Sequence, residues 1–168
     1  MKTLMISPYS KKRPNGKPCA KNYPWWKELM ALLAREGIKT VQIGIAGEEP
    51  IGAHTCVMDL PLETIKKDLQ LCDGWVSVDN FLPHLGASLG KRGVVIFGPS
   101  DPIVFGHPSN INVLKDRKYL RPLQFATWHE EEMVEERFAR PEEILKIILD
   151  YLAEKTECLS NDTLETGS

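Results

Sequence analysis

The sequence predicts an α/β domain, a parallel sheet of short buried strands with helices on both faces. Strand and helix segments alternate along the chain. The strands read as continuous apolar runs, as burial on both faces requires, and parallel neighbours need the crossovers that helices supply. The 168 residues, 42% of them hydrophobic, suffice for one domain with its own core and are too few for two large ones. The expected architecture is Rossmann-like.

The elements follow in order. "KTLMIS" (2–7) is a short apolar run ending in Ser and Pro, a first strand before the basic loop "PYSKKRPNGKPCAKNY". Pro24 then opens a helix that places Trp25, Trp26, Leu29, Met30, Leu32 and Leu33 on one face, and Gly37 is its natural stop. "KTVQIGI" reads as a second strand. Helix "PLETIKKDLQLCD", strand "GWVSVDN", helix "FLPHLGASLGK" and strand "GVVIFG" continue the pattern. After Asp101 the periodicity loosens, and Trp128 and Tyr119 are expected to pack on the sheet. "PEEILKIILDYLAEK" supplies a last amphipathic helix from Pro141. The domain is thus assigned to residues 1–156, and 157–168, poor in large apolar side chains, to a disordered tail.

Lys and Arg number 21 against 23 Asp and Glu, a net charge of -2 that gives no uniform field for nucleic acid or anionic lipid. No apolar run reaches the roughly 20 residues that span a bilayer, and the N-terminus lacks the hydrophobic stretch of a secretory signal. A soluble, cytoplasmic protein is expected. Cys19, Cys56, Cys72 and Cys158 form no CxxC pair, so they read as reduced thiols, with no zinc site and no disulfide framework.

In an open parallel sheet, ligands bind at the carboxyl ends of the strands, where helix N-termini and loops converge. Four polar clusters follow strands here and should share one rim. The loop from Ser7 through Ser10 to Lys21 also carries Lys11, Lys12, Arg13 and Lys17 and suits a phosphate, although a charge run is equally a solvated surface. Glu48, after Gly47, can accept hydrogen bonds from sugar hydroxyls or belong to a plain surface loop. Asp79 ends its strand, and Asn80 caps the helix that carries His84 in about its first turn. The pair faces a bound polar group or simply caps a helix beside a half-buried histidine. "GPSDP" consists of ordinary turn residues. No GxxxxGKS/T or GxGxxG follows a strand, and GxSxG and HExxH are missing. The common triphosphatase, dehydrogenase, serine hydrolase and zinc protease signatures are therefore lacking.

Taken in order, "ISPYS", "KNYPWWKELMALLAREG", "IGIAGEE", "DNFLPH", "GASLGK" and "FGPSDP" resemble the donor-binding, C-terminal half of the family 9 glycosyltransferases, the lipopolysaccharide heptosyltransferase group with the two-domain GT-B fold. The likeness runs from about Met5 to Gly106. It implies a single GT-B half-domain that binds a nucleotide-diphosphate sugar of the ADP-heptose type without a metal or other cofactor. By that resemblance Lys21 contacts the donor diphosphate, Glu48 the ribose, Asp79 the sugar hydroxyls, and His84 lies near the diphosphate. Ser7, Ser10, Asn80 and Phe81 complete the binding set, and no catalytic residue is assigned.

Two departures qualify the resemblance. Phe81 stands where the family has Gly, and its side chain could narrow the site. The acceptor domain, with the acid that activates the acceptor hydroxyl, is not in this sequence. The expected partners are therefore a nucleotide-diphosphate sugar and either an acceptor-domain protein or a second copy of the chain. A stand-alone nucleotide-sugar binding module and a decayed, structural domain remain open as alternatives at this point.

Overall fold

The structure, a computed structural model, describes residues 1–128 and 131–165, with side chains described to Cys158. Six strands form one all-parallel sheet: β1 (Thr3–Ser7), β2 (Lys39–Gly44), β3 (Thr55–Met58), β4 (Gly74–Val78), β5 (Val94–Ile96) and β6 (Ile111–Val113), in the order β3-β2-β1-β4-β5-β6. Helices α1 (Trp26–Arg35), α2 (Leu62–Leu71), α3 (Phe81–Ser88), α4 (Pro102–Phe105) and α5 (Pro141–Glu165) accompany it. The Rossmann-like α/β class read from the sequence is the one observed. Among the described residues no helix is long and apolar enough to cross a membrane.

Side-chain alternation along the strands builds the two layers. Leu4 and Ile6, Val76 and Val78, and Val94 and Ile96 enter one core with Leu29 and Leu33 of α1 and Ile144 and Ile148 of α5. Their sequence neighbours Met5, Trp75 and Val95 enter the other, with Leu69 of α2 and Leu82 and Leu85 of α3. Trp75 is fully buried and donates its indole N–H to Lys91 O at 2.9 Å. A Cβ on Gly93 would lie 2.1 Å from that indole, so glycine there makes room for the largest core side chain. Gly37, with φ 73, ends α1 in the left-handed conformation its position requires.

Three elements escape the sequence reading: β3, α4 and β6. The two strands lie at the edges of the sheet and their residues are exposed or half-buried except Val113, so neither presents a continuous apolar run. Tyr119 and Trp128 do not pack on the sheet and belong to neither core. Tyr119 lies beneath the ammonium groups of Lys115 and Lys118, at 5.2 and 5.0 Å from its ring centre. The Lys21 ammonium lies over the Trp128 ring, 4.7 Å from its centre. Of the segment 157–168, expected to be a disordered tail, residues 157–165 instead continue α5, and 166–168 lie outside the described residues.

Candidate functional site

The strand order reverses between β1 and β4, which makes the carboxyl ends of these two strands the switch point of the sheet. A cleft of about 1120 Å³ opens there. Ser7 at the end of β1, Gly44 at the end of β2, Asp59 just past β3 and Asp79 just past β4 all line it, so the strand termini form its floor.

Asn80 ties this floor together. Its Nδ2 donates to Ser7 Oγ at 2.9 Å and to the Ser7 and Tyr9 carbonyls at 3.2 Å, while its Oδ1 accepts from Leu82 N at 2.9 Å and caps α3. Ser10 fastens the basic loop on the same spot. Its hydroxyl donates to Asp79 O at 2.6 Å, and its amide donates to Asn22 Oδ1 at 2.9 Å.

The electrostatic centre is an ion pair. Lys21 Nζ stands 3.0 Å from Asp79 Oδ2, with side-chain exposures of 19% and 10%. Despite that distance, Oδ2 accepts no hydrogen bond of good geometry from any described group. The contact is a charge contact, and a buried carboxylate oxygen retains its accepting capacity. Desolvating the two charges is costly, and only their mutual attraction and further partners offset it. The ammonium finds such partners in the Trp128 and Phe105 rings, 4.7 and 5.9 Å away.

Glu48 approaches from the β2 side. Its carboxylate turns back to accept from Ile45 N at 3.1 Å and closes the turn after β2. Gly44 permits this, since a Cβ there would sit 2.0 Å from Glu48 Oε2. Burial pushes the Glu48 carboxyl above the ordinary value of 4.5; the Ile45 amide and the positive charge of Lys12 oppose the shift, and Asp59 adds to it. Asp59, at φ 55, accepts from Ala46 N at 3.1 Å and locks the neighbouring strand end against this turn.

Ser7, Ser10, Lys21, Glu48, Asp79, Asn80 and Phe81 thus come together in one cleft, with Lys11, Lys12 and Arg13 on its rim. Phe81 is 44% exposed and stands in the wall without filling the space. His84 is not brought in. It lies one turn further along α3, exposed, with Nδ1 2.8 Å from Nε2 of His107. The "GPSDP" acid Asp101 also lies outside the cleft: it accepts Ile103 N as the cap of α4 and a two-pronged contact from Arg117 at 3.0 and 2.7 Å.

Sequence reasoning missed one wall of the cleft, formed by Thr127 and Trp128. Arg121, only 3% exposed, holds that wall. It donates to the carbonyls of Gln124, Ala126 and Thr127, and its guanidinium lies 3.3 Å from the centre of the Trp128 ring. No spacing signal announces an arginine that folds a loop around itself.

Among solved structures the chain is similar to E. coli heptosyltransferase WaaC with ADP, at 25% identity and a TM-score of 0.53, over 65% of this chain and 37% of that one. It is similar in fold to E. coli ADP-heptose lps heptosyltransferase II, at 17% identity and a TM-score of 0.64, over 92% of this chain and 47% of that one. The glycosyl transferase family 9 protein of Veillonella parvula DSM 2008 gives 17% identity and a TM-score of 0.64, over 91% and 46%. The chain therefore spans 37–47% of the length of these proteins. No curated protein matches it. Residues 2–122, the part of the chain that builds the whole sheet and most of the cleft, match Glycosyltransferase family 9 (heptosyltransferase), and the chain belongs to that family.

Proposed function

We propose that this chain is a donor-binding domain that holds a nucleoside-diphosphate sugar of the ADP-heptose type in the switch-point cleft. The observation that carries the reading is the Lys21–Asp79 pair, buried at the strand ends with one carboxylate oxygen still free to accept. A diphosphate suits the ammonium, sugar hydroxyls suit the carboxylate, and a ribose suits Glu48 on the β2 side of the same cleft. The similarity to a heptosyltransferase determined with ADP supports the choice of nucleotide.

The chemistry follows from charge. As the nucleoside diphosphate leaves, negative charge builds on it while the sugar becomes oxocarbenium-like, and a preorganised cation lowers that barrier. Lys21 is the group suited to do so, held against the Trp128 and Phe105 rings. The N-terminus of α3 contributes little beside it. The Leu82 amide is taken by Asn80, and Pro83 has no amide hydrogen. Transfer, as distinct from binding, draws on an acceptor-side base that the family resemblance places in a separate half-domain, supplied by another chain or region.

Thermal melting with ADP-heptose, other ADP-sugars, UDP-sugars and GDP-sugars tests the reading. A bound donor at a hundred times its Kd adds about 2.7 kcal/mol of stability. The expected result is a clear rise with ADP-heptose and a smaller one with UDP- and GDP-sugars; no rise with any of them refutes the proposal.

A further inference from the structure

The family match ends at residue 122, and the aromatic wall of the cleft begins beyond it. Arg121 is an expensive residue to bury: its guanidinium is desolvated, and that burial pushes its pKa below the usual arginine value. Three loop carbonyls and Glu131, whose carboxylate lies 3.8 Å away, are gathered around it. None of these contacts reaches the sheet. Their combined effect is to set the Trp128 indole in place at 3.3 Å and present it to the cleft. Glu131 is in turn anchored by Arg137 at 2.7 Å, and its carbonyl accepts from Arg13, so this loop is tied to the basic loop on the rim.

Trp128 stands at the Lys21–Asp79 pair, its ring centre 4.7 Å from the ammonium that lies 3.0 Å from Asp79 Oδ2. There an indole ring lies near a buried carboxylate oxygen with no hydrogen-bond partner among the described residues. A pyranose has the matching surfaces, with C–H groups for the ring and hydroxyls for the oxygen. A diphosphate has neither. We infer that Trp128, positioned by Arg121, is the residue by which this chain distinguishes a sugar-bearing nucleotide from the bare diphosphate. This inference rests on the donor-binding reading above and deepens it.

Titration calorimetry with ADP and with ADP-heptose tests it on the full chain. In Trp128→Ala, ADP binding should fall only by what Lys21 loses with the ring it rests on, and ADP-heptose binding is expected to weaken about tenfold more than ADP binding does. Trp128→Phe keeps a ring and should retain most of the difference between the two ligands. If Trp128→Ala fails to fold, Trp128→Leu, apolar but without a ring, should show the same selective loss. Equal weakening for both ligands, or none for either, overturns the role of Trp128 while leaving the donor-binding reading intact. A parent protein that binds neither ligand overturns that reading itself, and this inference with it.

Discussion

The two ends of the sheet each carry an aspartate surrounded by lysine, and they are built to opposite effect. At the amino end, Asp73 follows α2. Its carboxylate accepts Thr3 N at 2.7 Å and lies 3.6 Å from Lys2, while its carbonyl accepts from Lys155 at 2.6 Å. Lys91 donates to the Gln70 and Cys72 carbonyls, orphans of the helix end, and burial lowers its pKa. Apart from the Lys2–Asp73 contact, the charges named there are spent on backbone. At the carboxyl end, Lys21 and Asp79 touch each other and line an open cleft, Lys21 lies over two aromatic rings, and one Asp79 carboxylate oxygen has no hydrogen bond among the described residues. The same residue types make a clasp in one place and a site in the other. What separates them is whether the polar atoms are already satisfied.

The largest expected effect breaks the carboxyl-end pair. Lys21→Ala should weaken ADP-heptose about a hundredfold in calorimetry, within the range of about 2–5 kcal/mol for truncating one member of a buried charge pair. It should also lower the melting temperature, because Asp79 is left charged and buried; about 3 kcal/mol, roughly 6–12 °C, is the expected scale. Replacing both members, Lys21→Met with Asp79→Asn, should recover much of the melting temperature and none of the affinity. If affinity returns together with stability, the pair is a clasp like the one at the amino end.

Asp73→Ala is the reciprocal experiment. It removes an acceptor from Thr3 N at the start of β1 and should cost about 1–2 kcal/mol in urea unfolding. Affinity for ADP-heptose should not change, since Asp73 lies at the other end of the strands from the cleft.

How much of this contrast was legible in the sequence follows from burial. The central strands β1, β2, β4 and β5 are apolar because they have a neighbour on each side and a helix layer on each face, so their periodicity could be read directly. The edge strands β3 and β6 lack one neighbour and the pattern that goes with it. Lys21, Glu48 and Asp79 could be placed on one rim because each follows a strand whose direction the α/β class fixes. His84 could not be placed, since one extra helical turn carries it away from the cleft toward His107, a partner 23 residues on. Trp128 was misassigned to the sheet because an aromatic residue in an aperiodic segment suggests core, and its true support is Arg121, whose role depends on a loop path no spacing encodes.

Asp101 sharpens the comparison from the rim of the sheet. It follows β5 yet resembles Asp73, with its oxygens taken by Ile103 N and Arg117. Asp101→Ala should cost about 1 kcal/mol through loss of the helix cap and leave donor affinity unchanged. The Arg117 hydrogen bond, more than any other influence, holds the Asp101 carboxyl below its ordinary value of 3.8. The stability it adds is therefore complete above that value and lost as pH falls through the lower folded one. Asp101→Asn should flatten that part of the acid unfolding curve.

The smallest effect concerns Glu48, the acid that is half clasp and half site. Burial raises its carboxyl above 4.5, so the folded protein holds this proton more tightly than the unfolded chain does. The sign follows. Below 4.5 Glu48 is neutral in both states, and as pH rises from there through the raised folded value, ionisation draws on stability and the protein becomes slightly less stable. Donor affinity should move the other way over the same interval, because an ionised carboxylate accepts ribose hydroxyls better than a neutral one. Stability falling while affinity rises is the signature of an acid kept for a ligand at the expense of the fold. Glu48→Gln should remove both slopes, leaving affinity severalfold weaker at neutral pH. Gly44→Ala, whose new Cβ would displace the Glu48 carboxylate, should weaken binding similarly and leave the strand in place. If affinity in the parent is flat across that interval, Glu48 only closes its own turn and the ribose is held elsewhere in the cleft.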